Sequence, residues 1–206
     1  MIWPRDDLHL AGLKLGDKIL LLALGAAATF IELEQPLRVG FSLHSAADYL
    51  FTLGRGIEAR SALKEARHLL ESNGDRLSVA RCDWLMGKIE CADPVTFSTG
   101  IALLDSAKAM FLTLDNWLET VCLLCDKASL ELGAGMREDA RKDFNEMLSH
   151  LPADRVNPWV SEAITALNAL FERAENDAFI RALGAFNQRL KAGDSPMQGD
   201  GAETRH

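Results

Sequence analysis

Between residues 57 and 70 the apolar side chains Ile57, Ala59, Ala62, Leu63, Ala66, Leu69 and Leu70 recur at steps of three and four. That is the spacing of one face of an α-helix. The same period predicts helices over 17–34, 41–53, 57–70, 159–174 and 177–191. No long run of β-branched residues alternates with polar ones, so no strand is predicted. Between the helices stand Gly54 and Gly56, "NGD" at 73–75, "DP" at 93–94, "GAG" at 133–135 and "NP" at 157–158. Asp75 reads as an N-cap after a glycine stop. Asp93 and Asn157 each read as an N-cap ahead of a proline in the first helical turn. The fold class is all-α.

The helices repeat. The interval from Ala59 to Gly100 recurs, within one position, from Gly100 to Ala140, and the same two steps link Leu63, Leu104 and Phe144. Further columns are Ala66, Ala107 and Met147; Leu43, Trp84 and Leu124; and Asp75 with Asp115. Two stretches, "GRGIEARSALKEA" (54–66) and "GMREDARKDFNEM" (135–147), then become the turn and second-helix opening of one repeated pair. Ala59 and Ala140 serve close packing in this reading, and Arg60 and Arg141 face solvent beside them. The predicted organisation is an N-terminal cap over 1–40 and a repeat domain over 41–192. Its units are about 41–74, 75–114, 115–152 and a degenerate 153–192, in which Ala182 and Phe186 echo Ala140 and Phe144. The tail, 193–206, has almost no apolar residues and is expected to be disordered.

Leucine and alanine dominate the 206 residues, with Glu, Lys and Arg between them, which favours helix. Acidic residues outnumber basic ones 30 to 22, and no basic stripe interleaves with aromatics. Direct binding of nucleic acid, which draws its affinity from phosphate contacts, is not expected. The uncharged run Ile19 to Ile31 is thirteen residues, too short to span a bilayer as a helix. Ala26 and Ala28 resemble a signal cleavage site, but Asp6, Asp7 and Asp17 precede them where a signal favours positive charge. The expectation is a packing helix in a cytoplasmic protein.

Candidate chemistry is thin. Cys82, Cys91, Cys122 and Cys125 all lie in apolar helical stretches and are expected to be buried free thiols. Cys122 and Cys125 form a CxxC, which leaves open a four-thiolate metal site or a redox pair. Against it, Cys82 and Cys91 are nine apart, and Cys82 and Cys122 occupy equivalent repeat positions. His44 and Asp48 lie one turn apart, the spacing of a solvated surface pair. There is no phosphate loop, no GxSxG and no HExxH. No cofactor and no enzymatic activity are expected.

These columns resemble the tetratricopeptide repeat (TPR) family, whose pattern runs from Trp through Leu-Gly and Tyr to Ala, a Phe four later, then Pro. The third unit matches best, through Leu124, Ala128, Gly135, Ala140, Phe144 and Pro152. The first supplies Leu43, Ala47, Gly54, Ala59 and Leu63; the second keeps Trp84, Gly100 and Leu104, with Lys88 where a small residue is usual. The period exceeds the family's usual repeat of about 34 residues, as in lengthened repeats appended to bacterial regulatory proteins. The resemblance implies an α-solenoid of stacked antiparallel helix pairs whose first helices line a concave groove. Its groove candidates are Phe41, His44 and Asp48, then Cys82, Leu85 and Ile89, then Cys122, Cys125 and Ser129. Such a groove implies a non-enzymatic, regulatory or scaffolding module that binds an apolar or helical segment of a protein partner. Self-association as a homodimer through the N-terminal apolar helix is the alternative, beside the cysteine-based sensor.

Overall fold

The computed structural model describes residues 15–192; the predicted tail at 193–206 and the first part of the predicted cap lie outside the described residues. Among those residues the chain is all-α, without a strand. The helices are α1 (Leu15–Glu32), α2 (Pro36–Thr52), α3 (Gly56–Ser72), α4 (Arg76–Cys91), α5 (Phe97–Thr113), α6 (Trp117–Gly133), α7 (Arg137–Ser149), α8 (Pro158–Glu172) and α9 (Asn176–Ala192). From α2 to α8 the helices begin at Pro36, Gly56, Arg76, Phe97, Trp117, Arg137 and Pro158, a step constant to within one position. Each repeat column is therefore spaced by two steps of one helix-plus-turn element. The family's half-unit is about 17 residues, so each step here is longer by close to one helical turn.

One turn geometry recurs. Glu34, Gly54, Gly74, Asp115, Gly135 and Ala174 all have positive φ, between 50° and 81°. Each donates its amide to a carbonyl three residues back, and the next residue donates to one five back, as Arg55 does to Leu50 at 2.8 Å and Met136 to Glu131 at 2.8 Å. This is the Schellman closure of a helix, which returns the chain antiparallel after three residues. Glycine occupies the left-handed seat at no steric cost, whereas an alanine there is strained by about 1 kcal/mol. Ala174→Gly should therefore raise stability by up to about 1 kcal/mol, and Gly135→Ala should lower it by a similar amount. Urea titration of the two variants checks both signs.

The capping residues follow the sequence in two places and not in a third. Asp75 accepts the Ser78 amide at 2.9 Å, and Asn157 accepts that of Val160 at 3.2 Å with Pro158 behind it. Asp93-Pro94 does not open α5. Asp93 Oδ1 accepts the amide of Val95 at 2.9 Å, a local turn that competes with capping. Thr96 takes the cap position instead: its carbonyl receives the Gly100 amide, and its hydroxyl donates to the Glu90 carbonyl at 2.7 Å. Asp75 and Asp115, one sequence column, also part company. Asp115 holds the left-handed seat, and Asn116 caps α6 by accepting the Glu119 amide.

The chain divides into two compact units, one up to Met110 and one from Phe111, with α5 running across the boundary. In the first, α2 packs against α1 and α3, and α3 against α4. Its core holds Leu20, Ala46, Ala47, Leu50, Ala59, Leu63, Ala66, Leu70, Cys82, Leu85 and Ile89. In the second, α6 packs against α7, and Phe144 stacks on Phe171 at 6.5 Å and meets Phe179 edge-on at 5.3 Å. Here α9 lies along α6, where buried Asn187 donates to the Cys122 carbonyl at 3.2 Å and to Asp126 at 2.9 Å.

The repeat columns are core. Ala59, Leu63, Ala66, Leu104, Ala140, Phe144 and Met147 have no exposed surface. Arg60 and Arg141 differ from expectation, since each ties its helix to the first helix of the next pair. Arg60 Nε lies 2.6 Å from Glu90 on α4, and Arg141 pairs with Glu172 on α8 while its guanidinium stacks over Phe171. The Glu90 carboxyl is held below its ordinary range, first by the Arg60 hydrogen bond. Each such half-exposed pair stabilises by only about 0–1 kcal/mol, so the role is register more than strength.

Candidate functional site

Exposed apolar side chains concentrate on α1 and α2. The helix α1 carries three charged residues in eighteen, and its Leu20 and Ala27 are buried against the rest of the unit. On its other faces Leu22 and Ile31 are each 63% exposed, and Leu24 is also exposed. Leu33, Leu37 and Phe41 continue the exposed series into α2. A cleft of about 330 Å³ opens between α1, α2 and α3, floored by Phe30, Ile31, Val39, Leu43 and Leu69, with Glu34, Gln35 and Glu65 at its polar margin. Arg38 lies over the Phe30 ring at 5.4 Å. An apolar cleft beside exposed leucines is the surface chemistry of a helix-binding groove.

Of the residues the resemblance implied, Phe41, His44 and Asp48 share one stripe of α2, with Phe41 and Asp48 exposed and His44 half-buried. Leu85 and Ile89 instead lie in the first core beside Ala59 and Leu63, sealed from any ligand. Ser129 belongs to the second unit and turns its hydroxyl back to the Cys125 carbonyl at 2.9 Å. Within the first unit the accessible apolar surface is therefore the α1–α2 face, not the first-helix positions of successive pairs. Leu69 and Val39, which floor the cleft, carry no sequence signal apart from the ordinary helical stripe.

The cysteines are four free, buried thiols. Burial pushes the Cys82 and Cys122 thiols up to about 12 and holds Cys125 well above its ordinary value. Among the described residues no three His, Cys, Asp or Glu side chains converge as a metal site would require. Since the thiolate is the nucleophile, the native protein near neutral pH should react with a disulfide reagent far more slowly than the unfolded chain. A comparison of labelling rates with and without denaturant measures the difference.

A second cluster has no counterpart in the sequence reading. Lys127 on α6, almost fully buried, lies 3.0 Å from Asp143 Oδ2 on α7 and 3.7 Å from Glu131 Oε1. Two carboxyls thus share one lysine in the second unit. Burial, then the hydrogen bond and charge of Asp143, raise the Glu131 carboxyl to about 8 despite Lys127. A signal is present in the columns: two repeat periods earlier, the counterparts of Lys127, Glu131 and Asp143 are Ala46, Leu50 and Ala62. The cluster is closed to solvent, so it can hold a proton but offers no approach to a substrate. Near α3 and α4 a smaller cleft of about 220 Å³ contains Arg67, but that guanidinium is already committed to Asp83 at 2.7 Å and Glu71 at 2.9 Å.

No helix among the described residues is long and apolar enough to cross a membrane. No protein-family model, no curated protein and no solved structure matches this chain.

Proposed function

We propose that this chain is a non-enzymatic protein-interaction module, a TPR-like solenoid of antiparallel helix pairs that receives an apolar helical segment on its α1–α2 face. The observation that carries this reading is the concentration of Leu22, Leu24, Ile31, Leu33, Leu37 and Phe41 beside an open apolar cleft. Single exposed leucines are ordinary on protein surfaces, but a contiguous set around a concavity is the mark of a binding surface. The solenoid part is supported by the even helix step, the recurring Schellman turns and the matched Arg60–Glu90 and Arg141–Glu172 pairs. The packing of α9 along α6 marks where the fourth pair is least like the others.

A photo-crosslinking residue placed at Leu37 tests the reading in cells. Crosslinked peptides should be amphipathic, with apolar residues at i, i+3, i+4 and i+7. Ile31→Glu with Phe41→Glu should abolish the crosslinks while the thermal melt stays within a few degrees of wild type. Equal labelling from a probe at an exposed polar site such as Glu138 would overturn it.

A further inference from the structure

We propose that the segment received by this face is α1 of a second copy, laid antiparallel across its twin with the two-fold axis at Gly25. The proposal rests on the reading above and names its partner. With Leu20, Ala23, Ala27 and Phe30 turned toward the core, the opposite side of α1 is the stripe Lys18, Leu22, Gly25, Thr29 and Glu32, at steps of four and three. Leu22, Gly25, Thr29 and Glu32 are exposed, and Lys18 is half-exposed. A Cβ built on Gly25 meets nothing within 4 Å, so its own chain does not account for a glycine in mid-helix. Glycine there costs roughly 1 kcal/mol of helix stability relative to alanine.

The stripe is complementary to its own reverse. About an axis through Gly25, each position k lies opposite position 50 − k of the other copy. Lys18 then faces Glu32, the two charges of the stripe, at both ends of the contact. Leu22 faces Ala28, so a large side chain meets the small residues Gly25, Ala28 and Thr29 rather than another leucine. Asp17, whose charge acts on Arg55 of its own chain, comes opposite Leu33 and meets no like charge. A parallel pairing would instead set Lys18 on Lys18 and Glu32 on Glu32. Like charges in register are disfavoured, so the charge pattern selects both the partner and its direction. Glycine at the axis lets the two backbones approach closely, as small residues do at helix crossings.

The test uses the full chain. Light scattering across a concentration series should show a mass rising to twice 22.6 kDa. Leu22→Glu should raise the dissociation constant at least about tenfold. Lys18→Glu should weaken pairing, and adding Glu32→Lys to it should restore it. Under mild oxidation Gly25→Cys should yield a disulfide-linked dimer, whereas Leu33→Cys, opposite Asp17, should not. The four native thiols are buried and do not compete. A monomer at every concentration overturns the proposal, as does a dimer indifferent to Leu22→Glu. If the monomer still crosslinks a foreign helix through Leu37, this inference fails while the interaction reading stands. If it crosslinks nothing, both fall.

Discussion

Lys127→Ala is expected to destabilise the second unit by about 3–5 kcal/mol, because it leaves two buried carboxyls without the cation they share. Urea unfolding followed by circular dichroism measures the loss. The same cluster predicts a compensating experiment. The first pair places Ala46, Leu50 and Ala62 at the equivalent positions, so the triple variant Lys127→Ala, Glu131→Leu, Asp143→Ala carries the first pair's side chains into the third. Replacing a whole buried ionic cluster by apolar groups is commonly neutral or stabilising by about 1–4 kcal/mol. The triple variant should therefore be at least as stable as wild type although the single one is not. A triple variant as unstable as Lys127→Ala would mean that the loss comes from packing, not charge.

The cluster also sets a pH dependence. The Glu131 carboxyl titrates near 4.5 when unfolded and about 8 when folded, so between these values the folded chain holds a proton that the unfolded chain has released. Stability contributed by this group is complete below about pH 4.5, falls as pH rises, and is gone above about pH 8. The loss is on the order of a few kcal/mol. Glu131→Gln should flatten that part of the curve, which thermal melts from mildly acidic to mildly alkaline buffer would reveal.

Gly100→Val is the second large effect, with an expected loss of about 3 kcal/mol or more. A Cβ at Gly100 would lie 2.5 Å from Cys91 Sγ and 2.7 Å from both the Cys91 nitrogen and the Gly87 oxygen. Two of these are backbone atoms, so no rotamer change relieves the clash and α5 must move off α4. Gly87 is equally confined, at 2.9 Å from the Gly100 oxygen. The control has the opposite sign. Gly184 in α9 has nothing within 4 Å, and Gly184→Ala should stabilise by roughly 0.5–1 kcal/mol through helix propensity. If both substitutions destabilise equally, close approach at Gly100 is not the cause.

The glycine pair also shows what can be read from the chain alone. The column Ala59, Gly100, Ala140 announces close helix pairs because small residues recur where backbones approach. Lys88 looks like a breach of that pattern, yet the contact in the second pair is made by Gly87, one residue earlier. Helix boundaries are legible for the same local reasons, through Asp75, Asn157 and the left-handed glycines. What escapes depends on neighbours distant in sequence. A column says that Leu85 and Ile89 belong to a first helix, but whether that face is covered is decided by α3. Arg60 cannot declare its pairing with Glu90, thirty residues away, and nothing in the spacing around Lys127 says that α7 closes over it.

The left-handed turns bear on how such a chain can change length. Each closes a helix and opens the next within three residues, so the facing of every later side chain is tied to the helix before it. One residue inserted in the middle of α3 would rotate the remainder of that helix by about 100° and carry Arg67 away from Asp83. Three or four residues return the same face to the same neighbours. The step from one helix start to the next is itself the family's half-unit of about 17 lengthened by roughly one such turn. Insertions and deletions in homologous chains should accordingly fall in whole helical turns, or in whole helix-and-turn steps, and single-residue changes should be confined to the longer links around Pro94 and Pro152.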